Sequence, residues 1–211
     1  MLLTMKGAIF DLDGVIVDTA KYHYLAWKRL AEELGFEFTE EHNERLKGVS
    51  RMRSLEILLE VGGLTFSADE KARLAEKKNN WYVEYISRMD ESELLEGARQ
   101  YLEGQKEKGI KIALGSASKN APIILDNLKI TELFDVVIDG NKVSKAKPDP
   151  EVFLLGAKEL GLAPSDCVVF EDAEAGIEAA KRAGMKTVGI GNRKILREAD
   201  MVVRGLYELV V

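Results

Sequence analysis

The ten residues FDLDGVIVDT, Phe10 to Thr19, decide how the rest of the chain is read. They overlap a short apolar run, Gly7-Ala8-Ile9-Phe10, too brief for a helix and suited to a buried strand. Asp11 falls where that strand ends, Asp13 follows two residues on, and Gly14 opens a turn. In an open α/β sheet, ligands gather outside the carboxyl ends of the strands, so both acids are expected to face a crevice. A carboxylate placed there can attack phosphorus and form an acyl phosphate. A second acid beside it can carry the proton of an attacking or leaving hydroxyl. Asp and Gly are also ordinary turn residues, so a strand-end turn without chemistry is the competing reading.

Past Thr19 the periodicity becomes helical. Tyr22, Leu25, Ala26, Leu30, Ala31 and Leu34 recur at three- and four-residue steps, and Gly35 is a plausible stop. Thr39 is a candidate N-cap for a helix running to about Lys47, and Ser50 for one over Met52 to Val61. Ser67-Ala68-Asp69-Glu70 has the form of a capping box. The helix it starts is expected to reach Arg88, with Ala72, Ala75, Tyr82, Tyr85, Ile86 and Met89 facing inward. Beyond residue 92 strands and helices alternate, with strands expected at Ile110 to Leu114, Asp135 to Ile138, Cys167 to Phe170, Thr187 to Ile190 and Met201 to Val203. Asp149-Pro150 reads as an N-cap followed by proline at the first helical position. Alternation of this kind implies a parallel sheet covered on both faces. The fold class is therefore α/β: a Rossmann-like parallel-sheet core from residues 1–17 and 92–211, with an all-helical domain, 18–91, inserted after the first strand. The crossings near Val15 to Asp18 and Met89 to Leu95 are the expected hinge.

Further polar clusters fall at the ends of the later strands. Gly115-Ser116-Ala117-Ser118-Lys119-Asn120 follows the second strand and precedes a helix, where backbone N–H groups and hydroxyls suit a phosphate. Simple helix capping would use the same residues. Lys147 precedes Pro148 at another helix entrance, where an ammonium could neutralise a transferring phosphoryl group. A loop lysine alone is usually just solvated. Glu171-Asp172 closes the strand that starts at Cys167, and with Asp11 these acids could form an oxygen cage for Mg²⁺. They could equally serve as dipole partners of the next helix.

The ordered set of Asp11/Asp13, Ser116, Lys147 and Glu171/Asp172 resembles the four motifs of the haloacid dehalogenase superfamily, over most of the chain. The resemblance implies that Asp11 is the phosphoryl-accepting nucleophile and Asp13 the general acid/base. It implies that Ser116 and Lys147 hold the transferring group, and that Asp11, the backbone carbonyl of Asp13, Glu171 and Asp172 hold Mg²⁺. The insert resembles the cap domain of the superfamily's hexose-phosphate mutases, on DTAKYHYLAWKRLAEELG (Asp18 to Gly35), LKGVSR (Leu46 to Arg51) and AEKKNNWYV (Ala75 to Val83), together with SASKN (Ser116 to Asn120) in the core. By that resemblance Arg51 is the cap's main ligand for the non-reacting phosphate, a task suited to its planar fork. Ser118, Lys119 and Asn120 contribute from the core, and Thr19, His23, Gly48, Val49, Ser50 and Lys78 line the hinge or the sugar pocket. On the residues alone, His23 is an ordinary helix-face histidine and Lys78 an exposed lysine. His42 has no counterpart and is read as a surface residue.

The implied activity interconverts β-D-glucose 1-phosphate and D-glucose 6-phosphate through an aspartyl-phosphate enzyme and β-glucose 1,6-bisphosphate. A sugar-phosphate phosphatase with the same core is the nearest alternative. A non-catalytic phospho-acceptor, and a structural module whose acids are only caps, are alternatives of other classes. The bulk numbers agree with any of these. The 211 residues are 46% hydrophobic and 31% charged, enough for a sizeable core. The net charge of −6 argues against a general attraction to nucleic acid. No uncharged apolar run is long enough to span a membrane, and the N-terminus lacks the pattern of a secretory signal. Cys167 is the single cysteine, as suits a reducing compartment. The expected partners are small-molecule sugar phosphates, with no nucleic acid and no membrane, for a monomer in the cytoplasm.

Overall fold

The chain runs through β1 (Gly7–Phe10), α1 (Ala20–Leu34), α2 (Glu40–Glu44), α3 (Arg51–Gly62) and α4 (Ala68–Ile86), then α5 (Ala98–Glu107), β2 (Lys111–Gly115), α6 (Ala121–Asn127) and β3 (Val136–Ile138). It ends with α7 (Glu151–Leu160), β4 (Cys167–Glu171), α8 (Glu174–Arg182), β5 (Lys186–Ile190) and β6 (Met201–Val203). This computed structural model describes residues 4–46 and 49–210, so Gly48 and the expected helix end at Lys47 lie outside the described residues. The chain divides into two units, Met1–Asp18 with Met89–Val211, and Thr19–Arg88.

In the first unit all six strands are parallel, in the order β3-β2-β1-β4-β5-β6. β1 therefore lies between β2 and β4, with Phe10 in register with both Leu114 and Phe170. Strand order reverses direction at β1, and such a switch point is where a crevice opens at the carboxyl ends. Each residue of β1 and of β4 is buried, as expected of central strands covered on both faces. Phe10 stacks on Phe170 at 4.5 Å and meets Tyr101 edge-on at 6.1 Å, directly under the strand ends that carry the acids. Burying each phenylalanine contributes about 1.5–3 kcal/mol. The opposite side packs Ile9, Ala113, Val169, Phe153 and Ala180 around α7 and α8. α7 starts one residue later than Asp149-Pro150 implies, with Pro150 at its N-cap in helical dihedrals and Asp149 Oδ1, from the residue before, accepting the Glu151 N–H at 3.0 Å. No helix among the described residues is long and apolar enough to cross a membrane. Cys167 is a buried free thiol.

The second unit is helical and packs Trp27, Leu30, Phe38, Leu55 and Leu58 into one core. The buried face of α1 is Ala26, Trp27, Leu30 and Ala31, rotated from the expected stripe, so that Leu25 is 47% exposed. The inner face of α4 is Ala75, Lys78, Tyr82 and Ile86. Ala72, expected inside, is exposed and lies off that face. The capping box forms as its sequence implies: Ser67 Oγ accepts the Glu70 N–H and the Glu70 carboxylate accepts the Ser67 N–H. Ser50 Oγ caps α3 by accepting the Arg53 N–H, and α3 starts at Arg51, one residue before the expected Met52. His42 is not a bare surface residue. Its Nδ1 accepts the Thr39 N–H while its own N–H donates to Thr39 Oγ1, completing the cap of α2.

Candidate active site

The sheet register assembles the acids. The Asp11 N–H donates to the Phe170 carbonyl at 2.9 Å, which carries the β1–β4 ladder one step past β1 and brings Asp11 beside Glu171. The Ser116 N–H donates to the Ile138 carbonyl, fixing the first residue after β2 against β3. The Lys147 ammonium then joins the two central acids, donating to Asp11 Oδ1 at 2.6 Å and to Glu171 Oε2 at 2.8 Å. Its other face lies over the Phe153 ring, 4.8 Å from the centroid. Lys147, Asp11 and Glu171 have nearly closed-off side chains, 12%, 11% and 2% exposed. Glu171 Oε1 accepts the N–H groups of Asp172 and Ala173, so its carboxylate is fixed from both sides.

One ammonium cannot balance the acids gathered here. Ligand oxygens of Asp11, Glu171 and Asp172 lie within 4.8 Å of one another. Burial, and then the charge of Glu171, push the Asp11 carboxyl up to about 6 against the pull of Lys147. Asp172 keeps an exposed edge, yet desolvation, then Asp11 and Glu171, push it up to about 8, with a further contribution from Asp13. Burial alone works against the charge on Lys147, but its two carboxylates hold its pKa above the usual lysine value. Such a site, rich in carboxylate oxygen and short of positive charge, fits a divalent cation that prefers oxygen ligands. Asp13 supplies no side-chain oxygen to the cluster. It sits in the turn closed by the Gly14 N–H donating to the Val17 carbonyl.

The Ser116 to Asn120 loop is held by its own hydroxyls. Ser116, only 2% exposed, accepts the Ser118 N–H at Oγ, and Ser118 Oγ accepts the Asn120 N–H. A hydroxyl that accepts in this way keeps its proton available to donate, as a phosphate requires. Lys119 is exposed. α6, the helix after the loop, has only seven residues, so the loop itself and not a helix dipole offers the anion contacts.

The second unit gathers a different cluster. Lys78, expected to be exposed on helix pattern alone, is 2% exposed. Its Nζ lies 2.8 Å from His23 Nδ1 and over the rings of Trp27 and Tyr82, at 4.5 and 4.9 Å. His23 stacks on Tyr82 at 3.9 Å. An ammonium has only protons to offer, so His23 Nδ1 is the acceptor and the ring is neutral. Burial lowers the His23 pKa well below the usual histidine value, helped by the charges of Lys78 and Arg51. Arg51 is half-buried, its pKa lowered by desolvation, and no carboxylate among the described residues offsets that. Thr19 is fully buried at the start of α1, whereas Val49 is 39% exposed and Ser50 is used as a cap. Asp11, Ser116, Lys147, Glu171 and Asp172 thus come together at one end of the sheet, and His23, Arg51 and Lys78 within the helical unit.

Two residues of the acid site, Gly176 and Phe153, are not singled out by sequence pattern, and a third, Gly14, is read there only as the start of a turn. Gly14 has φ +74°, and a Cβ there would lie 2.1 Å from Asp172 Oδ2. A Cβ at Gly176 would lie 1.9 Å from Glu171 Oε2. Phe153 is the floor under Lys147. A glycine inside a helical pattern, as at Gly176, is the one signal that could have pointed to such a close approach.

Comparison with known proteins agrees with this arrangement. A family model described as haloacid dehalogenase-like hydrolase matches residues 8–190. The chain is 46% identical over 209 residues to the β-phosphoglucomutase of Bacillus subtilis, covering 98% of this chain and 92% of that protein. It is 35% identical to a phosphorylated carbohydrates phosphatase of Thermotoga maritima, covering 94% and 93%. The crystal structure of a β-phosphoglucomutase from Clostridium difficile superposes with a TM-score of 0.91 at 46% identity, covering 97% of this chain and 93% of that one. With its acids, lysine and hydroxyl loop set at successive strand ends and its sequence matched from first strand to fifth, the chain belongs to the haloacid dehalogenase-like hydrolase family.

Proposed function

We propose that the protein is a Mg²⁺-dependent phosphomutase that interconverts β-D-glucose 1-phosphate and D-glucose 6-phosphate in the cytoplasm, as a monomer. The observation that carries this reading is the pair of unlike charged clusters. The first unit has an acid cluster with one ammonium. The second has a half-buried guanidinium, Arg51, that no carboxylate among the described residues offsets, and a buried ammonium, Lys78. A sugar with a phosphate at each end needs two receptors of different character: one that reacts and one that only grips.

Asp11 is the nucleophile. In the phosphorylated enzyme a sugar hydroxyl attacks the phosphorus of phospho-Asp11, the bond from phosphorus to the Asp11 oxygen breaks, and Asp13 takes the hydroxyl proton. The β-glucose 1,6-bisphosphate formed turns around. The Asp11 carboxylate then attacks the other phosphate, and Asp13 returns its proton to the departing sugar oxygen. Lys147 and Ser116 hold the transferring phosphoryl oxygens. Asp11, the carbonyl of Asp13, Glu171 and Asp172 would hold Mg²⁺, which reduces repulsion between an anionic nucleophile and an anionic phosphate. Arg51, with Ser118, Lys119 and Asn120, grips the non-reacting phosphate. Thr19, His23, Val49, Ser50 and Lys78 serve the hinge and the sugar pocket, as does Gly48.

The Thermotoga maritima relative favours a second reading, a sugar-phosphate phosphatase, because the same core hydrolyses phospho-Asp11 once water reaches it. A coupled assay separates the two. Incubation with β-glucose 1-phosphate, Mg²⁺ and a catalytic amount of bisphosphate is expected to yield glucose 6-phosphate well ahead of inorganic phosphate. Stoichiometric phosphate release without isomerisation assigns the phosphatase instead.

A further inference from the structure

The loop Ser116 to Asn120 does not rest on its own strand alone. At the end of β3 a tight turn, Asp139-Gly140-Asn141, lies against it. The buried Asp139 closes that turn by accepting the Asn141 N–H at Oδ1, 2.7 Å away. Gly140 then donates its N–H to the Ser118 carbonyl at 3.1 Å. The Asn141 side-chain amide donates to the Lys119 carbonyl, also at 3.1 Å. The approach is too close for any side chain at position 140: an added Cβ would lie 2.2 Å from the Ala117 carbonyl oxygen and 3.0 Å from Lys119 Cγ. The backbone of the loop and the stem of Lys119 both run over this glycine.

We propose that the Asp139–Asn141 turn is a positioning element for substrate binding, one that sets the direction in which Ser118, Lys119 and Asn120 present their donors. The reason is peptide geometry. A trans peptide points its C=O and its N–H to opposite sides. With the Ser118 carbonyl held by Gly140, the Lys119 N–H is turned to the opposite side, and holding the Lys119 carbonyl on Asn141 orients the peptide that follows. None of the three turn residues has to touch a ligand for this. Each acts through the loop, and the proposal rests on reading Ser118, Lys119 and Asn120 as ligands of the non-reacting phosphate.

That origin separates binding from chemistry, since Asp11 stands at the end of β1 and Lys147, later in the same β3–α7 connection as the turn, is fixed by its own contacts with Asp11, Glu171 and the Phe153 ring. Asn141→Ala removes one hydrogen bond, and Gly140→Ala forces the loop away from the turn. Each is expected to raise KM for β-glucose 1-phosphate, Asn141→Ala by about fivefold to tenfold and Gly140→Ala by more, with kcat changed about twofold at most. Phosphorylation of Asp11 by a small donor such as acetyl phosphate, which has no second phosphate, is expected to proceed at the parent rate in both. Thermal unfolding checks that both variants fold. Lys119→Ala is the reference. If it raises KM while neither turn variant does, the turn has no positioning role. A fall in kcat and acetyl-phosphate reactivity alongside KM also overturns the proposal, because it marks a general disturbance of the sheet end. If Lys119→Ala itself leaves KM unchanged, the phosphate role of the loop is what fails, and the inference falls with it.

Discussion

The Lys147 ammonium lies 2.6 Å from Asp11 Oδ1, although 136 residues separate the two in sequence. Without this contact Asp11 would face the charges of Glu171 and Asp172 with no ammonium against them. Lys147 lowers the Asp11 pKa against burial and the charge of Glu171, and so favours the carboxylate form that the proposed attack on phosphorus requires.

Removing the nucleophile is the simplest test of that assignment. Asp11→Asn keeps the shape of the side chain but replaces a carboxylate by an amide that attacks phosphorus poorly. Turnover is expected to drop on the order of 10³-fold or more, and no acyl phosphate should form. Intact-mass measurement after incubation with acetyl phosphate reads this directly. A phosphorylated Asp11→Asn protein would move the role to another residue.

Arg51 is the residue at which the proposed mutase and a simple hydrolase should part. Arg51→Ala is expected to lower glucose 6-phosphate formation by about 10²-fold, the loss of a charge-assisted bidentate contact. Slow release of inorganic phosphate should persist, because the acid cluster of the first unit is intact. Arg51→Lys should recover part of the mutase rate, since it restores charge without the fork. Isomerisation by Arg51→Ala at the parental rate would contradict a two-receptor site.

Stability of the metal-free protein should depend on pH in a set direction. Asp11 and Asp172 are pushed up to about 6 and about 8 from an ordinary value of 3.8. A carboxyl whose folded pKa is raised binds its proton more tightly in the folded protein. Its stabilising effect is complete below the unfolded value and disappears as pH rises through the folded one. Across the window from about pH 4 to 8, Tm in EDTA should therefore lose ground, and the loss should be recovered by Mg²⁺, which replaces the protons. The Mg²⁺-induced rise in Tm is expected to grow with pH. A rise that is constant, or absent, would take the cation away from these acids.

Gly176→Ala sets helix propensity against site geometry. Alanine in place of glycine inside α8 favours the helix by about 0.8–1 kcal/mol. The new methyl would meet Glu171 Oε2 at 1.9 Å and push the carboxylate off Lys147. Tm should therefore stay within a few degrees of the parent, while the Mg²⁺ concentration needed for half-maximal activity rises about tenfold. A variant that loses stability but keeps its Mg²⁺ requirement would make the glycine a packing residue only.

Much of this is legible in the sequence. Asp11, Ser116 and Glu171 follow apolar runs too short for helices, and the alternation of strands and helices implies that such ends line up. The capping box at Ser67 and the glycine stop at Gly35 depend on neighbours in the chain, and both occur where the residues indicate. Errors arose where burial depends on distant partners. Leu25 and Ala72 have the right spacing but the wrong side, and Lys78, a lysine on a polar-looking helix, is 2% exposed because His23, Trp27 and Tyr82 meet it from another helix and its own.

Local chemistry thus determined the elements and the kinds of group at their ends, because helix caps, strand runs and turn glycines are decided within a few residues. Which acid lies next to which cation was decided by the sheet: its strand order puts β1 between β2 and β4, and its register sets Asp11 beside Glu171. The same holds for the space at Gly14 and Gly140, since the atoms that leave no room there, on Asp172 and Ala117, belong to remote segments. Sequence periodicity reports which face of an element is apolar. Only the packing of segments far apart in the chain brings one lysine within hydrogen-bonding reach of two carboxylates.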